Sequence, residues 1–171
     1  MTFMNLSLGS PVVRAAETDT GELGVVGARF IMAGHRSEGR FSLVEHPIVP
    51  RGLAAPVHLH TREDEFSFVL EGRWGFKQAE EVVFAEPGDL VYKPRDVWHT
   101  FWNATDEPAR LLEVISPAGF EQFFVELAEL LRSNPDDPEA AAALGPKYGI
   151  RNDPEATVRV VAEHGLIERL A

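Results

Sequence analysis

From Gly21 to about Pro117 the chain is a string of short apolar runs, each bounded by Gly, Pro or Asp. The runs fall at Val25–Ala33, Arg40–Val49, Val57–His60, Glu65–Glu71, Trp74–Lys77, Val82–Phe84, Leu90–Tyr92, Trp98–Trp102 and Arg110–Ile115. Breaks such as Glu71-Gly72 and Pro87-Gly88-Asp89 separate them. Many short, closely spaced strands with turn residues between them predict an all-β sandwich or barrel. A further strand is predicted over Val12–Ala16, inside a leader arm of residues 1–20.

After Pro117 the period changes. Phe120, Phe123, Phe124, Leu127, Leu130 and Leu131 recur at helical spacing, with Glu121, Glu126 and Glu129 on the other face. Ser133-Asn134-Pro135 ends that helix. A second helix is predicted over Pro138–Leu144, with Pro in its first turn. A third runs from Asp153-Pro154 to about Ala162, with Gly165 beyond it. The chain therefore divides into an arm (1–20), a β-barrel (21–117) and a helical extension (118–171) packed on the barrel.

Composition narrows the function. The 171 residues suit one domain with its own core. A net charge of -11 repels nucleic acid and anionic lipid, so neither is expected as a partner. No run approaches the ~18 apolar residues of a membrane span. The N-terminus lacks a basic start followed by an apolar core, so the cytoplasm is the expected compartment. With no cysteine in the chain, disulfides, thiol chemistry and zinc ribbons are excluded. Any metal site must use His, Asp or Glu.

Histidine placement then becomes informative. His58 and His60 stand two residues apart in the strand Val57–His60, which sends both imidazoles to one face. Thr61 to Asp64 reads as a polar turn, and Glu65 opens the next strand. His99 begins a strand after the breaks at Gly88, Pro94 and Asp96. Three imidazoles and a carboxylate aimed into one interior suit one divalent transition metal: Fe, Mn, Ni, Cu or Zn. Four protein ligands leave open positions on a six-coordinate ion for substrate. A bound cation would also offset the cost of burying Glu65. His35 and His46 read as structural or exposed, and His164 as a partner for a helix C-terminus.

These residues resemble the two signature motifs of the cupin superfamily. Gly52, His58, His60, Glu65 and Gly72 fit the first motif at every gap. Gly88, Pro94, His99 and Asn103 fit the second, where Asp96 replaces a glycine that takes a positive-φ turn. Asp is among the few residues that tolerate that conformation. Fifteen residues lie between the motifs, which resembles microbial single-domain cupins. The resemblance implies a double-stranded β-helix, or jelly-roll, barrel with His58, His60, Glu65 and His99 as metal ligands. Glu63 is the alternative carboxylate and fits the motif less well. Residues 98–124, followed by Lys147 to Ile150, are similar to bacterial cupins described as quercetin-dioxygenase-like. In that group the residue matching Glu65 doubles as a catalytic base.

Alternation extends the picture. With Glu65 inward, Ser67 and Val69 are inward too; with His99 inward, so is Phe101. Phe101, Ser67 and Val69 are then the candidate substrate contacts. Phe66, Phe68, Leu70, Trp98 and Trp102 point outward and need cover from the second sheet, the helices or a partner chain. A homodimer is expected on that ground. The function implied is a dioxygenase acting on a flavonol-like or enol small molecule. A non-oxidative metal-dependent isomerase or lyase, and a ligand-binding module without turnover, stand as alternatives.

Overall fold

The computed structural model describes residues 11–135 and 138–168. Period-2 burial shapes the strands: β10 alternates without a break from Ala109 to Ser116, with Ala109, Leu111, Glu113 and Ile115 buried. The elements in chain order are β1 (Thr20–Glu22), β2 (Gly27–Met32), β3 (Ser42–Ile48), β4 (Leu53–His60), β5 (Asp64–Glu71), β6 (Trp74–Gln78) and β7 (Glu81–Ala85). Then come β8 (Leu90–Lys93), β9 (His99–Asn103), β10 (Ala109–Ser116), α1 (Glu121–Ser133), α2 (Pro138–Lys147), β11 (Ile150–Asn152) and α3 (Pro154–His164).

The strands form two antiparallel sheets, in the orders β1-β2-β3-β10-β5-β8 and β11-β4-β9-β6-β7. The sheets face each other across a core of Val26, Ile48, Val69, Trp74, Phe76, Phe101 and Leu111. This is the mostly β jelly-roll the sequence predicted.

Two local expectations change. No strand spans Val12–Ala16: Ala15–Glu17 is a single 3-10 turn with no buried residue. The first ten residues of the arm lie outside the described residues. The extension is also not purely helical. Ile150–Asn152 joins the five-stranded sheet beside β4, with Ile150 opposite His60 and Asn152 opposite His58. Three residues are too few for a visible alternation, so the strand exists only because β4 offers an open edge.

The helices close what the sheets leave open. In α3 the Asp153 side chain caps Ala156 N at 2.9 Å, and Gly165 ends the helix in the left-handed region at φ 62°. Its apolar side, Val160 with the following Leu166, covers Leu53, Val57 and Trp102 on the outer face of the five-stranded sheet. Trp102 lies flat across β6 where a Cβ on Gly75 would stand 2.2 Å from the indole, so a larger residue there would displace the tryptophan. His164, in the last turn of α3, stacks on the same indole at 4.4 Å. Helix α1 packs against β1, β3 and α2 and sets Phe120, Phe123 and Phe124 beside Ala28, Val44 and Ile115. No described helix is long and apolar enough to cross a membrane.

Candidate metal centre

Strand β4 carries two register shifts against β9, between Leu53 and Ala55 and between Ala55 and His58. Such irregularities re-aim side chains. Here they free the Pro56 carbonyl, which accepts the Nδ1–H of His58 at 2.7 Å. A carbonyl only accepts, so the proton sits on Nδ1 and His58 Nε2 is a bare lone pair. The same device recurs at the head of β9, where the Val97 carbonyl accepts the Nδ1–H of His99 at 2.9 Å. His99 Nε2 is buried with no hydrogen-bond partner.

One ligating atom from each of His58, His60, Glu65 and His99 lies within 4.8 Å of the other three, and all four residues are buried. His58 Nε2 and His60 Nε2 are 3.1 Å apart. Glu65 Oε1 is 3.4 Å from His60 Nε2, and Glu65 Oε2 is 3.6 Å from His99 Nε2. Two imidazole nitrogens so close, one of them certainly unprotonated, require a proton between them or a cation in front of them. Nitrogen ligands ~2.1 Å from one ion and at right angles would stand ~3 Å apart, which this pair matches. The donor set therefore fits a divalent ion held by His58, His60, Glu65 and His99. The Nδ1–H bonds to backbone carbonyls are the outer support that metal-bound imidazoles ordinarily have.

The electrostatics favour ligand-ready side chains. Burial, reinforced by His99 and His60, holds His58 well below the usual imidazole range. Burial also takes His60 down to about 4. Burial alone would raise Glu65, but Lys93, His60 and His99 hold it well below the carboxylate range, so it is ionised.

Glu63 stands elsewhere. Its Oε2 faces His60 Nδ1 at 3.7 Å, on the side of the ring away from the cluster. Burial pushes it up to about 7. It is placed as an outer partner of His60.

Three more residues complete the site. Lys93 Nζ lies 2.9 Å from Glu65 Oε2 and 2.9 Å from Glu113 Oε2, and 3.9 Å above the Phe101 ring. Ser67 Oγ donates to both Glu113 oxygens at 3.1 and 3.0 Å. Lys93 is held above the usual lysine value against its burial, by Glu113 and Glu65. Burial pushes Glu113 up to about 7, with Lys93 pulling the other way. Sequence reading named neither Lys93 nor Glu113, and it set His46 aside. The unbroken alternation of β10 was a usable signal for Glu113. Lys93 had none, because its strand places Leu90 and Tyr92 outside.

The cluster opens on a cavity of about 1450 Å³ between the barrel and α1. Phe101 borders it together with His46, His58, His60, Glu65 and Glu113. Of the other proposed contacts, Ser67 is engaged by Glu113 and Val69 is fully buried in the apolar core. Asp96 has φ 62°, and its N–H reaches the His60 carbonyl at 2.7 Å. The turn that precedes β9 is thus pinned to the end of β4, which brings His99 to the pair.

The two-sheet antiparallel barrel is the cupin jelly-roll fold. Residues 46–115 match the family described as Cupin domain. The match runs from β3 to β10, and with the fold it is what this chain shares with cupins. No curated protein matches the chain in sequence. Among solved structures it is similar to a sugar phosphate isomerase from Silicibacter pomeroyi at 23% identity and TM-score 0.54, over 62% of this chain and 75% of that one. It is also similar to a predicted oxalate decarboxylase from Thermotoga maritima at 18% identity and TM-score 0.58, over 62% and 98%. The third is Pac13, a nucleoside dehydratase from Streptomyces, at 14% identity and TM-score 0.54, over 67% and 88%. At these identities the likeness is one of fold.

Proposed function

We infer that the protein is a metal-dependent small-molecule enzyme, a dioxygenase-like cupin of the quercetinase-like kind acting on a flavonol-like or enol substrate. The observation that carries this reading is the buried convergence of His58, His60, Glu65 and His99 within 4.8 Å at the edge of a cavity. Bound there, a divalent transition metal supplies Lewis acidity and redox chemistry to a chelating substrate. The protein's own groups do the rest. His58 and His99 present Nε2 because backbone carbonyls hold their Nδ1 protons. Glu65 keeps Oε2 on Lys93, which leaves Oε1 to take the substrate's hydroxyl proton. Phe101 borders the cavity and gives the substrate an apolar contact there, with Lys93 seated over one face of its ring.

The test combines elemental analysis of purified protein with oxygen uptake on Fe-, Mn-, Ni-, Cu- and Zn-loaded protein. The substrates are flavonols, β-diketones and small enols. One tightly held divalent ion per chain and uptake with a chelating substrate are expected. Protein that arrives with zinc and takes up no oxygen on any metal moves the reading to its alternative, a non-oxidative isomerase or lyase. The neighbours that share the fold carry the names of an isomerase, a decarboxylase and a dehydratase, so the fold is compatible with that second reading as well.

The outer face of the six-stranded sheet supports a homodimer. Phe66 pairs with Tyr92 and Phe68 with Leu90 across β5 and β8, and β8 is an edge strand. Phe68 is 37% exposed, Tyr92 49% and Leu90 59%, an apolar patch of the kind that marks interfaces.

A further inference from the structure

His46 is a buried residue with one half of its ring unused. It lies on β3 opposite Leu111 of β10 and is only 3% exposed. Its Nδ1 is 2.8 Å from the Gly27 carbonyl. Since that oxygen can only accept, Nδ1 carries the proton and Nε2 is a bare acceptor. Among the described residues no hydrogen bond reaches Nε2. The ring borders the same cavity as the metal-centre residues. Phe124 meets it edge-on at 4.9 Å, which fixes its plane. Burial takes His46 down to about 4 although Glu65 and Glu45 pull upward, so the acceptor is unprotonated at neutral pH. His46 Nε2 is not among the fully buried polar atoms that lack a partner, so it keeps access to the cavity, where a donor that enters can meet it.

The wall between His46 and the metal centre is aromatic. His60 meets Phe120 at 4.4 Å, Phe120 meets Phe124 at 5.2 Å, and Phe124 meets His46. A ligand that runs along two phenyl rings therefore touches both ends. Charge narrows its class. Glu65, Glu113, Asp19 and Glu22 border the cavity, and its one bordering cation among the described residues, Arg132, is held by Glu129 at 2.6 Å. Apart from the metal itself, no described cation bordering the cavity is unpaired and able to receive a phosphate or a carboxylate at the His46 end.

We propose that His46 is a specificity residue: its Nε2 receives a hydroxyl on an uncharged aromatic substrate, at the end of the cavity away from the chelating group. The substrate is thus gripped twice, by chelation at the four-residue cluster and by a hydrogen bond at His46. This rests on the metal-chelate reading of the cluster, and the experiment separates the two.

Zinc-loaded protein is titrated by fluorescence with 3-hydroxyflavone and with its singly hydroxylated derivatives at the 7, 3′ and 4′ positions. Each derivative is compared with its methoxy counterpart, which lacks the donor. One hydroxyl position is expected to bind about tenfold tighter than its methoxy partner. In His46→Asn the amide N–H still serves the Gly27 carbonyl, but the acceptor at the far side of the ring is gone. The gain there should fall below about threefold while 3-hydroxyflavone itself binds as in wild type. Failure of every hydroxyl to outbind its methoxy partner in wild type overturns the proposal and needs no variant. Persistence of the gain in His46→Asn also overturns it, as does failure of the protein to bind any of these flavones. Repeating the titration on EDTA-stripped protein isolates the other reading. If stripping leaves 3-hydroxyflavone binding unchanged, the chelate reading fails, and the hydroxyl-against-methoxy difference still reports on His46.

Discussion

Along β5 the inward residues are Glu65, Ser67 and Val69, and the outward ones are Phe66, Phe68 and Leu70. An antiparallel sheet with one solvated face ordinarily has the reverse arrangement, apolar inside and polar outside. The inner face tolerates its polar groups because each has company. Glu65 and Glu113 share Lys93, and Ser67 donates to Glu113. The cluster of bare nitrogens completes that face toward the cavity. The outer face has no such closure: Phe66 stacks on Tyr92 at 4.9 Å, yet Phe68, Leu90 and Tyr92 remain exposed. Trp102, on the other sheet, shows what closure looks like, since α3 and His164 bury it to 1%. One strand thus carries buried polar groups on its inner face and partly exposed apolar groups on its outer face.

The largest test strikes the inner face. His60→Ala should lower metal affinity by more than the roughly 10–100-fold that loss of an outer partner costs. Elemental analysis after dialysis reads this, and unchanged occupancy would remove His60 from the ligand set. Next comes the charge network. Lys93→Met leaves Glu65 and Glu113 face to face without their cation, so metal-free protein should lose about 3–5 kcal/mol in urea unfolding. Adding Glu113→Gln should return part of that loss. An equal loss in single and double variants would mean the two carboxylates do not share Lys93.

A smaller effect appears as a pH dependence at His46. Its folded pKa, about 4, lies below the ordinary 6.5, so the unfolded chain binds the proton first as pH falls. The stability of wild type relative to His46→Asn should be flat above pH 6.5. It should fall by about 3 kcal/mol on the way down to pH 4. Lys93 also acts on this ring, and Glu65 and Glu45 oppose it. A flat difference across that window would mean His46 is charged or solvated.

The smallest effect on the monomer fold belongs to the outer face. Phe68→Glu should change chain stability by only about 0.5 kcal/mol, as surface substitutions do. It should nonetheless halve the mass seen by light scattering. A wild-type mass equal to one chain would show that the patch has no partner copy.

The residues themselves show which features were legible. The spacing of His58 and His60 sends both imidazoles one way in any strand, and Glu65 and His99 open the strands that follow turns at Arg62 and Asp96. Even the replacement at Asp96 was readable, because its φ of 62° is one that aspartate tolerates. The caps of α3, Asp153 and Gly165, are equally local. Lys93, Glu113 and His46 were not legible as a group. Their residue types do not announce the site, and apolar Leu90 and Tyr92 pull a pattern reading of β8 toward the wrong face.

By itself, then, the chain determined what depends on a few consecutive residues: strand period, turn conformation, helix ends and which side chains share a face. Only the tertiary structure decided that β10 lies between β3 and β5, and that β8 flanks β5. That order carries Lys93 to Glu65, Glu113 to Ser67 and His46 to the cavity. It also drew Ile150–Asn152 into the sheet beside β4. The physical reason is that backbone periodicity is a local property, whereas strand neighbours are chosen by the burial of whole faces across long sequence separations.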